Sequence, residues 1–469
     1  MKPSAKARTV PRSRMSGVDT AWLRMDRATN PMVITAVMTF RKRIALPALK
    51  KVIVEHFLVF DRFRQLPVEG TGGHYWESAA DFDLERHVHR VALPRPAGKR
   101  ELQELVSDLA SGALDPRQPM WQFHLVDGYG GGGCALVSRI HHCYADGVAL
   151  MRVLLSLTEE TPARPARRAA VDGGLAWMPW LEPLSSASAK VLEWSSAFWR
   201  TYFELLLRPG KVLEYAQAGS GFLMEAARLL AMSPEPPTRF RGKPGLQKRA
   251  AWSDPLPLAE AKAAGAALGC SINDVLLCAA AGALRSYLSE HGEPVDGLEM
   301  RAIVPVNLRD PESAEQLGNR FGLVFVSLPV GIANPLQRLY EVHTRMQALR
   351  HSPQPMLLLG LLEFAGQSPL AVQEQLLQIL GSHATAVMTN LPGPQKRLRL
   401  AGAEIDQQMF WVPQSGEIGM GLSLFSYAGQ VQFGLMTDAG MVPDPERIVS
   451  RFRDEIRKLR KARPWKRSG

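Results

Sequence analysis

The chain has 469 residues, 46% of them hydrophobic, which is enough for large cores and more than one ordinary domain, and its formal net charge is +11. That charge sits at the ends: residues 1–14 bring five basic residues and no acid, and residues 451–469 nine basic against two acidic, so the near-neutral body argues against nucleic-acid binding. The longest apolar stretches, such as 355–362 and 275–284, fall short of the roughly eighteen residues of a membrane span, and no apolar run follows the basic N-terminus as a secretory signal requires.

The expected location is the cytoplasm, with peripheral contact to the inner membrane or to lipid inclusions left open. The basic run at 457–463 suits either attraction to an anionic membrane surface or solubilisation of a helix end. Cys134, Cys143, Cys270 and Cys278 make no C-x-x-C pair and are expected to be reduced thiols; no metal is expected.

Helical and strand-like patterns alternate over 15–165. Residues 46–60 and 99–111 read as helices, and 121–126 and 134–140 as strands joined across Gly128-Tyr-Gly-Gly-Gly-Gly133. Those glycines match G-x-G-x-x-G, but a dinucleotide site needs a helix straight after them, and a strand pattern follows instead.

Directly after that second strand stands His141-His142-Cys143-Tyr144-Ala145-Asp146-Gly147. A strand end is a rigid place to aim an imidazole, and a histidine with the ordinary pKa of about 6.5 is mostly neutral at cytoplasmic pH and can accept a proton from a bound hydroxyl. His142 is read as that base. Asp146 and Gly147 form a turn signal, with Asp146 orienting the loop through an arginine or backbone amides. The usual zinc spacing, two histidines four apart on a helix, is missing. Cys143, beside a histidine, is a rival acyl-accepting nucleophile, weighed against a thiol used as small apolar filler.

A Pro-, Ala- and Arg-rich stretch begins near 161, and prolines mark its end near 245. Within it 190–207 is a plausible helix, and Trp177, Trp180, Trp194 and Trp199 suit either a lipid interface or packing between domains. The second half opens with a strand at 249–252 and a helix from 259. Ser271 then resembles an N-cap, with Asp274 in the first turn of a helix reaching 287. Strands are expected at 299–305, 323–329, 384–389, 419–427 and 430–437, and helices at 335–350 and 369–380. Both halves are mixed α/β, giving an N-terminal domain over 1–165, a helix-bearing linker over 166–245 and a C-terminal domain over 246–469.

The segment at 141–147 matches the H-H-x-x-x-D-G motif of the coenzyme A-dependent acyltransferase superfamily. Further matches narrow the resemblance: Met15-Ser-Gly-Val-Asp-Thr-Ala-Trp-Leu23, Asn30-Pro-Met32, Leu114-Asp-Pro-Arg-Gln-Pro-Met-Trp-Gln122 with Met120 where the family has leucine, Ser271-Ile-Asn-Asp274, Val304-Pro-Val-Asn-Leu-Arg309, Gly318-Asn-Arg320 and Thr389-Asn-Leu-Pro-Gly-Pro394. Together they run from about 15 to 440, and the chain resembles the bacterial wax ester synthase/diacylglycerol acyltransferases.

That resemblance implies two chloramphenicol-acetyltransferase-like domains around a central tunnel, in which His142 serves acyl-CoA and a fatty alcohol or diacylglycerol. No cofactor beyond the acyl-CoA substrate is implied. It makes Asn273 a candidate oxyanion stabiliser, with a routine place at a helix start as the alternative, and Arg309 a candidate partner for Asp146, with a surface arginine as the alternative. His141 is expected to pack and fix the loop. Two rivals remain, a condensation-type or polyketide-associated acyltransferase taking a carrier-bound acyl group, and a non-catalytic lipid-binding protein. A lipase is disfavoured because no G-x-S-x-G segment is present.

Overall fold

A computed structural model describes residues 12–159, 228–229, 231–308, 319, 321–350 and 352–462. The expected helix at 190–207, the tryptophans Trp177, Trp180, Trp194 and Trp199, and Arg309 lie outside the described residues. Along the first half run β1 (Ser13–Arg14), α1 (Gly17–Met25), β2 (Val33–Phe40), α2 (Leu46–Val52), β3 (Gln65–Gly70), β4 (Gly73–Ser78), β5 (Val88–Ala92), α3 (Lys99–Ser111), β6 (Trp121–Asp127), β7 (Cys134–His141) and α4 (Gly147–Ser156). The second half begins with β8 (Lys248–Trp252), β9 (Leu256–Pro257), α5 (Leu258–Leu268), α6 (Ile272–Glu290), β10 (Met300–Asn307) and β11 (Phe321–Leu328). It continues with α7 (Pro335–Leu349), α8 (Gln354–Gln367), α9 (Leu370–Ser382), β12 (Ala386–Pro392), β13 (Arg399–Leu400), β14 (Ala403–Trp411), β15 (Met420–Tyr427), β16 (Gln430–Asp438) and α10 (Pro445–Lys461).

β2 and β7 are buried at every position, as expected of central strands covered on both faces. They lie in a sheet of order β13-β14-β2-β7-β6-β5, antiparallel except for the β5–β6 pair. Its β13–β14 hairpin comes from the second half and pairs with β2 from Ile405 opposite Phe40 to Trp411 opposite Thr35. A second sheet runs β11-β10-β12-β15-β16-β8, with β12 parallel to both of its neighbours. The mixed α/β architecture in two halves matches the expectation, and the hairpin stitches the halves together.

Ser271 caps α6: its hydroxyl accepts from the Asp274 amide at 3.1 Å while the Asp274 carboxylate accepts from the Ser271 amide at 2.9 Å, a reciprocal capping box. The small and apolar residues of α6 are buried almost throughout, as in a core helix. No single described helix is long and apolar enough to cross a membrane; α5 and α6 pass that test only as a pair, bent by 102°.

α1 and α8 cross at two glycines. A Cβ on Gly366 would stand 1.7 Å from the Gly17 carbonyl oxygen, and one on Gly17 would stand 2.4 Å from that of Glu363, so neither position has room for a side chain. The Glu363 carboxylate accepts from the Gly17 and Val18 amides at 3.1 and 3.0 Å, satisfying two of the free donors at the start of α1. The crossing brings the inner face of α1 to the end of β7.

Candidate active site

Register places the two histidines. Val33 of β2 stands opposite His141 of β7, so the chain just before β2 still reaches past the strand end. The His142 amide donates to the Met32 carbonyl at 2.7 Å, and the His141 amide to the Met120 carbonyl at 2.9 Å. Tyr144 locks the turn from below: its hydroxyl donates to the Gln65 carbonyl at 2.7 Å and accepts from the Met120 amide at 3.0 Å.

The His142 imidazole stacks on the Trp22 indole with centroids 4.1 Å apart, and Phe321 stands 5.8 Å away. Its carbonyl accepts from Asn319 Nδ2 at 3.0 Å, and the same nitrogen donates to Asp19 Oδ1 at 2.8 Å. One amide thus joins α1 to the loop after β7. Asp19 also accepts from the Asn319 backbone amide at 3.2 Å, and Arg62 Nη1 lies 3.7 Å from it. Burial nevertheless raises the Asp19 carboxyl above its ordinary range.

His142 Nδ1 is buried and has no hydrogen-bond partner among the described residues, and the residue lines the adjoining cavity. Burial pulls the imidazole down to about 4, with the Asp146 carboxylate acting in the opposite direction. At neutral pH the ring is therefore uncharged. His141 has another environment: its Nδ1 accepts from the Cys143 amide at 3.2 Å, Nε2 is 3.9 Å from Asp26 Oδ1, and burial pulls it down to about 3. His141 is not among the residues that line the cavity.

Asp146 caps α4, its Oδ1 accepting from the Ala149 amide at 2.8 Å, and Gly147 is the first residue of that helix. Both line the cavity with His142. An added Cβ on Gly147 would come 3.4 Å from the Phe410 ring, in ordinary contact. The expected Asp146–Arg309 pair lies outside the described residues.

The cavity holds about 870 Å³ of atom-free space, mouth included. Its wall is apolar and drawn from both halves: Trp22 and Met25 from α1, Ile303 and Leu323 from the second sheet, Leu362 from α8, Leu377 and Leu380 from α9. Thr389 and Ser415 are the lining residues with hydroxyl side chains. Cys143 does not line it; the thiol is fully buried, and burial raises its pKa well above the ordinary range.

Asn273 is elsewhere. Thr389 and Leu391 of β12 line the cavity, so Asn390 between them points to the opposite face, and there its amide donates to Asn273 Oδ1. The structure brings His142, Asp146 and Gly147 together and leaves Asn273 behind the cavity wall. Trp22, Asp19 and Asn319 were not singled out as site residues in the sequence. Their signal was present only as motif matches at 15–23 and 318–320, in which nothing says which side chain turns inward.

Two family profiles match the chain: the wax ester synthase/diacylglycerol acyltransferase catalytic domain over residues 15–276, and the WS/DGAT C-terminal domain over 317–460. A probable diacylglycerol O-acyltransferase, tgs1, of Mycobacterium tuberculosis (strain H37Rv) is 27% identical over 406 residues, covering 85% of this chain and 83% of its own. A putative diacylglycerol O-acyltransferase of the same strain, Rv3087, is 29% identical over 470 residues, with 94% and 95% covered. Among solved structures, the wax ester synthase/diacylglycerol acyltransferase from Marinobacter aquaeolei VT8 has the same fold, with a TM-score of 0.65 at 22% identity, covering 95% of this chain and 98% of its own. The first condensation domain of the calcium-dependent antibiotic synthetase shares the fold at a TM-score of 0.60 and 13% identity, with 96% of each chain covered. The catalytic-domain match alone spans more than half of the sequence, and the chain belongs to the wax ester synthase/diacylglycerol acyltransferase family and is an acyltransferase.

Proposed function

We propose that the protein transfers a long-chain fatty acyl group from acyl-CoA to the hydroxyl of a fatty alcohol, a diacylglycerol or both, with His142 as general base and no covalent enzyme intermediate. The observation that carries this is a neutral imidazole facing an apolar cavity built from both halves, in which the lining suits hydrocarbon chains. Nε2 of His142 takes the hydroxyl proton as the oxygen attacks the thioester carbonyl carbon. The tetrahedral intermediate then collapses with cleavage of the C–S bond, and the imidazolium returns the proton to the departing thiolate. The negative charge of Asp146 favours the transient imidazolium.

Direct transfer is favoured over an acyl-cysteine route because Cys143 is held as a thiol and lies outside the cavity lining. The oxyanion needs a donor aimed at it; Ser415 and Thr389 bring hydroxyls to the lining, Thr389 donating to the Leu422 carbonyl at 3.4 Å, whereas the Asn273 side chain is engaged behind β12. The reaction as written draws on no metal and no cofactor besides acyl-CoA.

The test is release of CoA thiol from palmitoyl-CoA, with and without hexadecanol or diacylglycerol. Acceptor-dependent release should fall by roughly 10²–10⁴-fold in His142→Ala and persist in Cys143→Ser. Release that neither acceptor stimulates in the native chain would sink the storage-lipid assignment in favour of a carrier-bound acyl donor.

A further inference from the structure

The turn between α5 and α6 faces α7 outside the acyl cavity, and three donors of different chemistry meet there. The sulfur of Cys270, a carboxylate oxygen of Asp274 and an imidazole nitrogen of His343 all lie within 4.8 Å of one another. Asp274 is buried, and its Oδ2 pairs with His343 Nδ1 at 2.7 Å. Cys270 is half-buried, with its sulfur 3.5 Å from the Leu268 carbonyl oxygen. The His343 side chain keeps 30% of its surface exposed, which leaves a path from solvent to the cluster.

We propose that Cys270, Asp274 and His343 form a binding site for one divalent transition-metal ion of the zinc type. Zinc bonds of about 2.3 Å to sulfur and 2.0–2.2 Å to nitrogen and oxygen put tetrahedral ligand atoms roughly 3.3–3.7 Å apart. The donors now span 2.7 Å to at most 4.8 Å, a range that brackets those separations, with the Asp274 carboxylate already fixed by the Ser271 amide. Sulfur and nitrogen donors select zinc, cobalt or nickel over magnesium and calcium, which take oxygen ligands. Three protein ligands leave a fourth position for water.

The thiolate and the carboxylate together balance the charge of the cation. A thiol binds the cation as thiolate, so binding releases a proton. The cation ties the first turn of α6 to α7. That same turn carries Asn273, which holds Asn390 between the cavity-lining Thr389 and Leu391, so occupancy braces one wall of the acyl cavity from behind.

Untagged full-length protein titrated with Co²⁺ tests the site through the near-ultraviolet thiolate-to-metal absorption. One equivalent should bind saturably, be displaced by Zn²⁺ and resist millimolar Mg²⁺. Cys270→Ser should abolish the band, His343→Gln should weaken binding at least tenfold, and Cys278→Ser should leave it intact. A band that survives Cys270→Ser, or no saturable binding below about 100 μM, overturns the proposal. If Cys270→Ser fails to fold, site-resolved alkylation of the native protein decides: Zn²⁺ should slow modification of Cys270 at least tenfold, and an unchanged rate overturns the site.

Discussion

His141 and His142 are chain neighbours with both backbone amides tied to adjacent segments, yet alternation along the strand end sends one ring toward Asp26 and the other into the cavity. What holds the second ring in place is the stack on Trp22 and the single amide of Asn319. Asn319→Ala should therefore lower kcat by about tenfold or more with KM little changed, since the loop carrying the base loses its brace. The loss also leaves Asp19 with fewer donors in a buried site, so stability should drop by about 1–3 kcal/mol. Native kcat in this variant would show that Asn319 does not position the base.

Titration follows from the same burial. His142 and His124 are held near 4 and His141 near 3, all by desolvation. At neutral pH these rings are uncharged in both the folded and unfolded chains. Below about 6.5 the unfolded chain takes up protons that the folded one refuses, so stability falls as pH drops toward 4, by up to about 1.4 kcal/mol per pH unit for each ring. The raised carboxyls of Asp19 and Asp26 act with the opposite sign and soften the slope. Denaturation midpoints measured from pH 7 to 5 should decline, while kcat/KM in brief assays should stay nearly flat over that range. An acid limb centred near 6.5 would show that the base is not desolvated as described.

Elements with strong local signals could be read from the sequence. The helix at 99–111 coincides with α3, and Ser271 caps α6 as its place before Asp274 suggested. The run expected as a helix at 46–60 is helical only to Phe57, changing its winding after Val52 to a π-type turn at Ile53–Phe57, and 58–60 form a turn. α1, β2, α8 and β14 were not identified, because their burial arises from contacts distant in sequence, and an almost fully apolar segment such as α8 has no polar face to reveal its period. The α1–α8 crossing is the clearest case. Gly366→Ala should force the helices apart at the Gly17 carbonyl and destabilise the fold by about 1–3 kcal/mol in denaturant titration. Because α1 carries Trp22 and Asp19, activity should fall further than stability alone explains. Wild-type stability in this variant would mean the two backbones are not in contact.

Across the whole molecule, the halves are joined by shared structure. Beyond the β13–β14 hairpin, Lys248 of β8 is buried with its ammonium 3.1 Å from Asp438 of β16 and 3.0 Å from Asn30, whose side-chain amide donates to the Gly416 carbonyl at 2.8 Å. Burial lowers the lysine pKa, with the hydrogen bond and charge of Asp438 opposing it. Lys248→Met leaves a buried carboxylate without its cation and should destabilise by about 3–5 kcal/mol, with Lys248→Met/Asp438→Asn recovering much of the loss. Equal stability of the single and double variants would show that the pair is not coupled.

The sequence by itself determined the family, the alternating α/β elements and the position of the histidine motif at a strand end, because motif spacing and short-range periodicity are written in consecutive residues. Only the tertiary structure decided that Asp19, Asn319 and His142 share one amide, that Asn273 lies behind β12, and that Cys270, Asp274 and His343 converge. Apart from Cys270 with Asp274, those contacts join residues dozens to hundreds of positions apart, and they depend on strand register and helix crossing, for which no local pattern carries a signal.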